Sequence, residues 1–321
     1  MEKKELPKTV RICHLENPNI TTFIDGQQIE IRNHEATVDI DIARRMMVGP
    51  FGYELKGVYD DFKKYTDEIE VIVDTYGKFE KQNDCVLLCT PMTAHKVYSW
   101  KKYSDALLNL EYKEKIRLVF VFDTLKNDDW HEFTEWTQRH TKEFNGVSII
   151  YWDADLNMAW NRVFKITVAR QLILNYAKTT EASHIWFVDS DNLLPTDALP
   201  KLLSHNRPAT AGFYRFKSIE AGGPVVFNAQ GTKITPFNCL GDQQVSVSEN
   251  TGTYEVDWTG AGCLLISREV FTVFTFDWNP WIQRHGEDAY ICLFAQRLTG
   301  KQVLLDTSVY TKHLDESGKE W

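Results

Sequence analysis

Two different periodicities divide the chain. Up to about residue 80, short apolar stretches come in pairs separated by turn residues. Thr21-Thr22-Phe23-Ile24 and Gln28-Ile29-Glu30-Ile31 flank Asp25-Gly26, a strong hairpin signal. Asp39 to Met47 and Tyr59 to Tyr65 read as short helices, and Ile69 to Val73 as a further strand. Gly49-Pro50-Phe51-Gly52 breaks the pattern, and residues 77–84 form a polar linker. A small α+β appendage over 1–80, serving docking or homo-oligomerisation, is the plain interpretation.

From Val86 onward, buried-type apolar runs alternate with amphipathic segments. That alternation predicts an α/β domain over 81–321, Rossmann-like, with a mostly parallel central sheet and helices on both faces. The strands read are Val86–Cys89, Arg117–Phe122, Val147–Trp152 and Ile185–Asp191. Between them lie helices over Tyr98–Leu110, Asp129–Phe144 and Phe164–Lys178. Further on come a short helix at Pro195–Leu203, a strand from Ala209 and a long irregular piece from Lys217 to Tyr254. That piece holds an expected hairpin, Val225-Val226-Phe227 with Lys233-Ile234, and an expected mobile segment, Gly241 to Gly252. Tyr254–Ile266 reads as a strand interrupted by Gly260-Ala261-Gly262. Ala289–Leu298 reads as a helix opened by Gly286-Glu287-Asp288, and Val303–Leu305 as a last strand.

Several of these strands end on an acidic residue or a turn. The sharpest case is Ile185-Trp186-Phe187-Val188-Asp189-Ser190-Asp191, where an apolar run stops in two carboxylates. Ligands of open α/β sheets sit beyond the carboxyl ends of the strands. Residues i and i+2 of an extended segment point the same way, so Asp189 and Asp191 would face one site. Two neighbouring carboxylates need a counter-charge. A divalent cation holding a diphosphate supplies one, because Mg2+ and Mn2+ favour carboxylate and phosphate oxygens. An acidic turn or helix cap is the competing reading.

Composition narrows the classes. A length of 321 residues with 43% hydrophobic and 13% aromatic content fills a substantial core. A net charge of −9 disfavours a broad nucleic-acid footprint. No apolar run spans a membrane and no signal core opens the chain, so a cytoplasmic, unexported protein is expected. Six cysteines without zinc-finger spacing are expected as buried free thiols. The ten tryptophans suggest some stacking platforms for sugars or bases, against the alternative of core packing.

Taken together, several segments resemble glycosyltransferases of the GT-A fold, of the family-two-like group. They are Leu88-Cys89-Thr90-Pro91, Val121-Phe122-Asp123, Val168-Ala169-Arg170-Gln171, Trp186 to Asp191, Gly260 to Arg268, and Gly286 to Leu293 with the later His313. The likeness covers about residues 85–315 and rests on the order of pieces that are individually weak. It implies transfer from a nucleotide-diphosphate sugar with Mn2+ or Mg2+. Thr90, Pro91 and Asp123 would border the base or ribose, and Arg170 the diphosphate or the acidic residues beside it. Asp189 and Ser190 would lie against the donor, with Asp189, Asp191 and His313 around the metal. Gly260 would let the backbone approach the sugar. Asp288 would be the general base of an inverting transfer, with Glu287 orienting a substrate. Trp258 would stack on the acceptor or pack in the core. The acceptor would be soluble: a glycan, a protein or a small molecule, with nucleic acid ranked behind them.

The Gln/Arg-x-x-Arg-Trp motif of processive polymerases is absent, which argues for single transfers. Three alternatives stay open. A nucleotidyltransferase or sugar pyrophosphorylase also places paired carboxylates on such a sheet. A retaining glycosyltransferase shares the fold and the metal motif. A non-catalytic binding module would use the sheet as an assembly part.

Overall fold

The computed structural model describes residues 9–14, 20–24, 27–32, 35–39, 53–55, 66, 72–76, 85–123, 131–152, 162–215, 226–227, 238–240, 243–245, 252–276, 282 and 286–320. The chain divides into two compact units, one of Met1–Glu70, Ala154–Val168 and Phe276–Glu287, the other of Val71–Asp153, Ala169–Thr275 and Asp288–Trp321.

In the first unit, β1 (Thr9–His14) is flanked by β4 (Glu35–Asp39) and β5 (Tyr53–Leu55), both antiparallel to it. β2 (Ile20–Ile24) and β3 (Gln27–Ile31) form the hairpin read from the sequence, with Ile24 opposite Gln27. Asp39 ends a strand and does not start a helix. The rest of that expected helix, the expected helix at 59–65 and the 77–84 linker lie outside the described residues.

The second unit is built on a nine-stranded sheet in the order β16-β19-β12-β18-β10-β7-β8-β9-β6. In chain order its strands are β6 (Ile72–Tyr76), β7 (Val86–Met92), β8 (Ile116–Phe122), β9 (Val147–Tyr151), β10 (His184–Val188), β12 (Ala209–Phe213), β16 (Thr253–Val256), β18 (Cys263–Ser267) and β19 (Val303–Tyr310). β7, β8, β9, β10, β12 and β19 run one way, and β6, β16 and β18 run the other. The fold is therefore mixed α/β with a mostly parallel central sheet. β6, assigned to the appendage from the sequence, is an edge strand of this sheet.

The parallel core explains where the site lies. The chain lays down β7, steps to β8 and β9 on one side, then returns to place β10 on the other side of β7. The carboxyl ends of β7 and β10 thus flank a topological switch point, where connections leave in opposite directions and open a crevice.

Both sheet faces are covered, as the uninterrupted apolar runs require. Every residue of β7 and β8 is buried. On one face Trp100 and Tyr103 of α1 (Trp100–Leu108) and Phe133 and Trp136 of α2 (His131–His140) pack with Phe120 and Phe122 of β8. Phe133 lies with ring centroids 4.9 Å from each of Trp100, Phe120 and Phe122. On the other face Tyr176 of α3 (Arg162–Lys178) bonds Ser148 at 2.9 Å, and the Arg117 guanidinium lies 5.5 Å from its ring. Trp100, Trp136, Trp152, Trp186 and Trp258 are all buried, so the described tryptophans are core and not exposed platforms. Cys85, Cys89, Cys263 and Cys292 are buried free thiols, as expected.

The remaining elements are α4 (Ala198–Ser204), α5 (Arg268–Phe271), α6 (Glu287–Thr299) and short paired strands. β13 (Val226–Phe227) pairs with β17 (Trp258–Thr259), whereas the sequence paired it with 233–234, which lie outside the described residues. β14 (Asn238–Leu240) and β15 (Gln243–Val245) pair with each other, the second within the stretch expected to be mobile.

Two outcomes follow. Phe133→Ala removes a ring packed on three others and costs about 3–5 kcal/mol, read from the denaturant midpoint. Asp306, in β19, meets His205 at 2.8 Å and accepts the Ser308 N–H at 2.8 Å. Burial pushes its carboxyl up, but the bonds from His205 and Ser308 outweigh that and hold it below the ordinary value. The unfolded chain therefore takes up this proton first as pH falls. The stabilisation is present above the ordinary carboxylate range and is lost as pH falls through the folded value. In Asp306→Asn, stability plotted against pH is flatter below about pH 4 than in the unaltered protein.

Candidate active site

Strand β10 carries its apolar residues into the core and stops at Val188. The next residues turn sharply: Asn192 N–H donates to the Asp189 carbonyl at 3.0 Å. The chain then re-enters a ladder as β11 (Asn192–Leu193), antiparallel to β20 (Lys312–His313), with Asn192 opposite His313. Leu314 N–H donates to the Asp191 carbonyl at 2.7 Å. This pairing brings the acidic turn of residue 190 to the chain's last strands, the juxtaposition with His313 that the family resemblance implied.

Asp191 is only 1% exposed. Its Oδ1 accepts from the Lys96 ammonium at 2.9 Å, and its Oδ2 lies 3.7 Å from His313 Nε2 and 3.5 Å from the Tyr98 hydroxyl. Lys96 and Tyr98 belong to a 3-10 segment, Ala94–Ser99, that directly follows β7. So the partners of Asp191 come from both sides of the switch point. Burial, and then the Asp191 charge, push the Tyr98 phenol up to about 12.

His313 is held in one orientation. Its Nδ1 lies 2.8 Å from the Arg215 carbonyl. A carbonyl only accepts, so Nδ1 carries a proton and donates it to that oxygen, which turns Nε2 towards Asp191. A ring nitrogen pinned from behind by a carbonyl is the arrangement that orients metal-binding imidazoles.

Asp189 takes a different partner. Its Oδ1 accepts from Arg170 Nη2 at 3.2 Å, and the Arg170 guanidinium lies 5.6 Å from the Phe187 ring. Arg170, on α3, is 2% exposed, so its charge is matched in the interior by this carboxylate. Asp189 and Asp191 thus share a turn but not a partner. Among the described residues, no group of three or more His, Cys, Asp and Glu side chains is disposed to hold a metal ion. The donors that converge are Asp191 and His313. Two protein ligands suit a cation whose other positions go to substrate phosphates and water. Of the two expected ions, a carboxylate with an imidazole fits Mn2+ better than Mg2+, which takes oxygen ligands.

The backbone behind the turn is tightly packed. Asp189 N–H and Asn192 Nδ2 both donate to the Gly262 carbonyl, at 3.2 and 3.0 Å, and Gly262 N–H donates to the Tyr214 hydroxyl at 3.1 Å. A Cβ on Gly262 would lie 2.2 Å from Asn192 Nδ2 and 2.8 Å from Tyr214 Cζ. This glycine admits neighbouring side chains of the protein itself. Gly260, named from the sequence, is buried just before it. Burial raises the Tyr214 phenol well above its usual value, helped by the charges of Asp189 and then Asp288. Asp288 and Asp189 therefore both lie within electrostatic reach of one ring. Asp288 is half-buried in the first turn of α6, its Oδ1 accepting from Ala289 N–H at 2.8 Å. Glu287 is 5% exposed.

The other residues named from the sequence lie as follows. β7 continues to Met92, so Thr90 and Pro91 lie within the strand and not past its end. Thr90 is fully buried with its hydroxyl 2.5 Å from Tyr103. Asp123 is half-buried, directly after β8. Trp258 is in the core. Ser190 is 1% exposed, and its hydroxyl and the Asn192 side-chain carbonyl are buried without a hydrogen-bond partner among the described residues. The sequence did not flag Lys96, Tyr98, Asn192 or Tyr214. Only Lys96 and Tyr98 carried a faint signal, as polar residues in the turn after the first parallel strand.

No family model and no curated protein matches the chain. Solved structures give a weaker kind of likeness. A mannosyltransferase is among them. That protein, PcManGT from Pyrobaculum calidifontis, was solved in complex with GDP-Man and Mn2+; it is 11% identical, with a TM-score of 0.46 over 82% of this chain and 66% of its own. A197 from STIV is 13% identical, with a TM-score of 0.39 over 74% of this chain and 92% of its own. TarS from S. aureus is 12% identical, with a TM-score of 0.44 over 71% of this chain and 36% of its own. The chain thus spans just under two thirds of the mannosyltransferase and about a third of TarS. At these values no residue role or activity is carried across, and the site's own geometry bears the functional reading. No helix among the described residues is long and apolar enough to cross a membrane.

The packing at Gly262 gives a direct check. Gly262→Ala forces Asn192 or Tyr214 aside and costs about 1–3 kcal/mol, seen as a lowered Tm. An unchanged Tm would mean that the three residues are not in contact.

Proposed function

We propose that this protein is a glycosyltransferase of the GT-A type that moves a sugar from a nucleotide-diphosphate donor to a soluble acceptor with inversion. The observation that carries this reading is the buried Asp191 facing His313 at a topological switch point, with the charges of Asp189 and Asp288 both acting on the Tyr214 phenol.

The roles follow from where each side chain lies. Asp191 and His313 would hold Mn2+ or Mg2+, which when bound supplies positive charge to the leaving diphosphate. Arg170 holds Asp189 in one orientation, so that its outer oxygen can meet the donor. Asp288, the more exposed of the two carboxylates that open α6, takes the proton from the acceptor hydroxyl as its oxygen bonds to the anomeric carbon. The bond from that carbon to the diphosphate oxygen breaks in the same displacement, and the nucleoside diphosphate leaves. Successive residues on a helix diverge by about 100°, so Glu287, which is buried, cannot share this role and is assigned to positioning.

The test is transfer and donor hydrolysis over a panel of nucleotide sugars with Mn2+ or Mg2+. Asp288→Asn is expected to lower kcat by about 10²–10⁴-fold with little change in the donor KM. Asp191→Ala is expected to abolish activity. Full activity in either variant would refute its assigned role, and release of pyrophosphate from a nucleoside triphosphate would favour the nucleotidyltransferase reading.

A further inference from the structure

The ammonium of Lys96 occupies the carboxylate that the divalent cation needs. Lys96 Nζ lies 2.9 Å from Asp191 Oδ1, and the two side chains are 12% and 1% exposed. The backbone of Lys96 is fixed by the turn that follows β7. Its N–H donates to the Thr93 carbonyl at 2.9 Å, and its carbonyl accepts from the Ser99 hydroxyl at 2.7 Å. Neither oxygen of Asp191 faces empty space. Oδ1 holds the ammonium, and Oδ2 faces His313 Nε2 and the Tyr98 hydroxyl. A divalent cation on this carboxylate would sit within a few ångströms of the ammonium, in a site with little water to screen the repulsion. The lysine stem is long and flexible, and its partial exposure leaves the head a path to the rim of the site.

We propose that Lys96 is the resident counter-cation of Asp191 in the metal-free protein, and that it competes with the divalent metal for that carboxylate. Metal binding requires the ammonium to leave, and the presence of Lys96 sets the metal affinity of the free enzyme. This rests on the metal site of the transferase reading and adds to it a positioning residue outside the predicted set. The device keeps a buried carboxylate neutralised before the donor arrives.

Two measurements test it. Mn2+ is titrated into the substrate-free protein, with free Mn2+ read by electron paramagnetic resonance. Lys96→Met is expected to bind Mn2+ at least tenfold more tightly than the unaltered protein, and Lys96→Arg, which keeps the charge, no more tightly. The gain is expected to vanish in the double variant Lys96→Met with Asp191→Asn. Equal or weaker binding in a folded Lys96→Met overturns the proposal. The second measurement needs no substitution. Lysine acetylation of the unaltered protein, followed by mass spectrometry, is expected to label Lys96 at least fivefold faster with saturating Mn2+ than with chelator. Equal labelling in the two conditions overturns the proposal. Failure of the transferase reading itself would appear separately, as an absence of donor turnover.

Discussion

The site depends on one electrostatic constraint: a carboxylate, Asp191, is held 1% exposed at the end of a core strand. A buried charge without a partner is not tolerated, and removing one member of a buried pair costs about 3–5 kcal/mol. The surroundings of Asp191 are arranged to meet that demand. A 3-10 turn after β7 delivers Lys96, and the β11–β20 ladder delivers His313. The topology of the sheet makes this possible, because only at the switch point do the ends of β7 and β10 lie side by side with no crossover between them.

A second ion pair, from the buried Arg170 to the half-buried Asp189, works on the neighbouring carboxylate from the opposite sheet face. The two aspartates stand two residues apart in the chain, yet each meets a cation from a different element. The geometry divides the expected metal triplet: Asp191 and His313 face one another, while Asp189 is turned to a guanidinium. The turn between them is locked from behind by the Gly262 carbonyl, which serves both Asp189 and Asn192. On the proposed reading, rigidity at this turn matters for chemistry, since a reacting constellation displaced by an ångström loses much of its effect.

The sheet was legible from the sequence because its strands are buried on both faces. Continuous apolar runs such as Leu118–Phe122 have no other stable home. Their order in the sheet was not legible, nor was the antiparallel insertion of β18 between β10 and β12. The acidic turn itself announced its place, because Val188 is followed at once by Asp189-Ser190-Asp191. The family resemblance placed His313 near Asp191, and the β11–β20 ladder does bring the two side chains together. Lys96 was not found, because a single lysine in a polar turn looks like solvated surface, and its burial comes only from the return of β10 beside β7. Thr90 was misplaced for a simpler reason. Pro91 suggested a strand end, but β7 runs through it to Met92.

One measurement tests the central claim most directly: thermal unfolding of the unaltered protein with nucleoside diphosphates, with and without Mn2+. The account predicts that at least one nucleoside diphosphate raises Tm, and raises it further when Mn2+ is present, because ligands that bind only the folded state stabilise it by mass action. A Tm that no nucleoside diphosphate moves, in either condition, would contradict it.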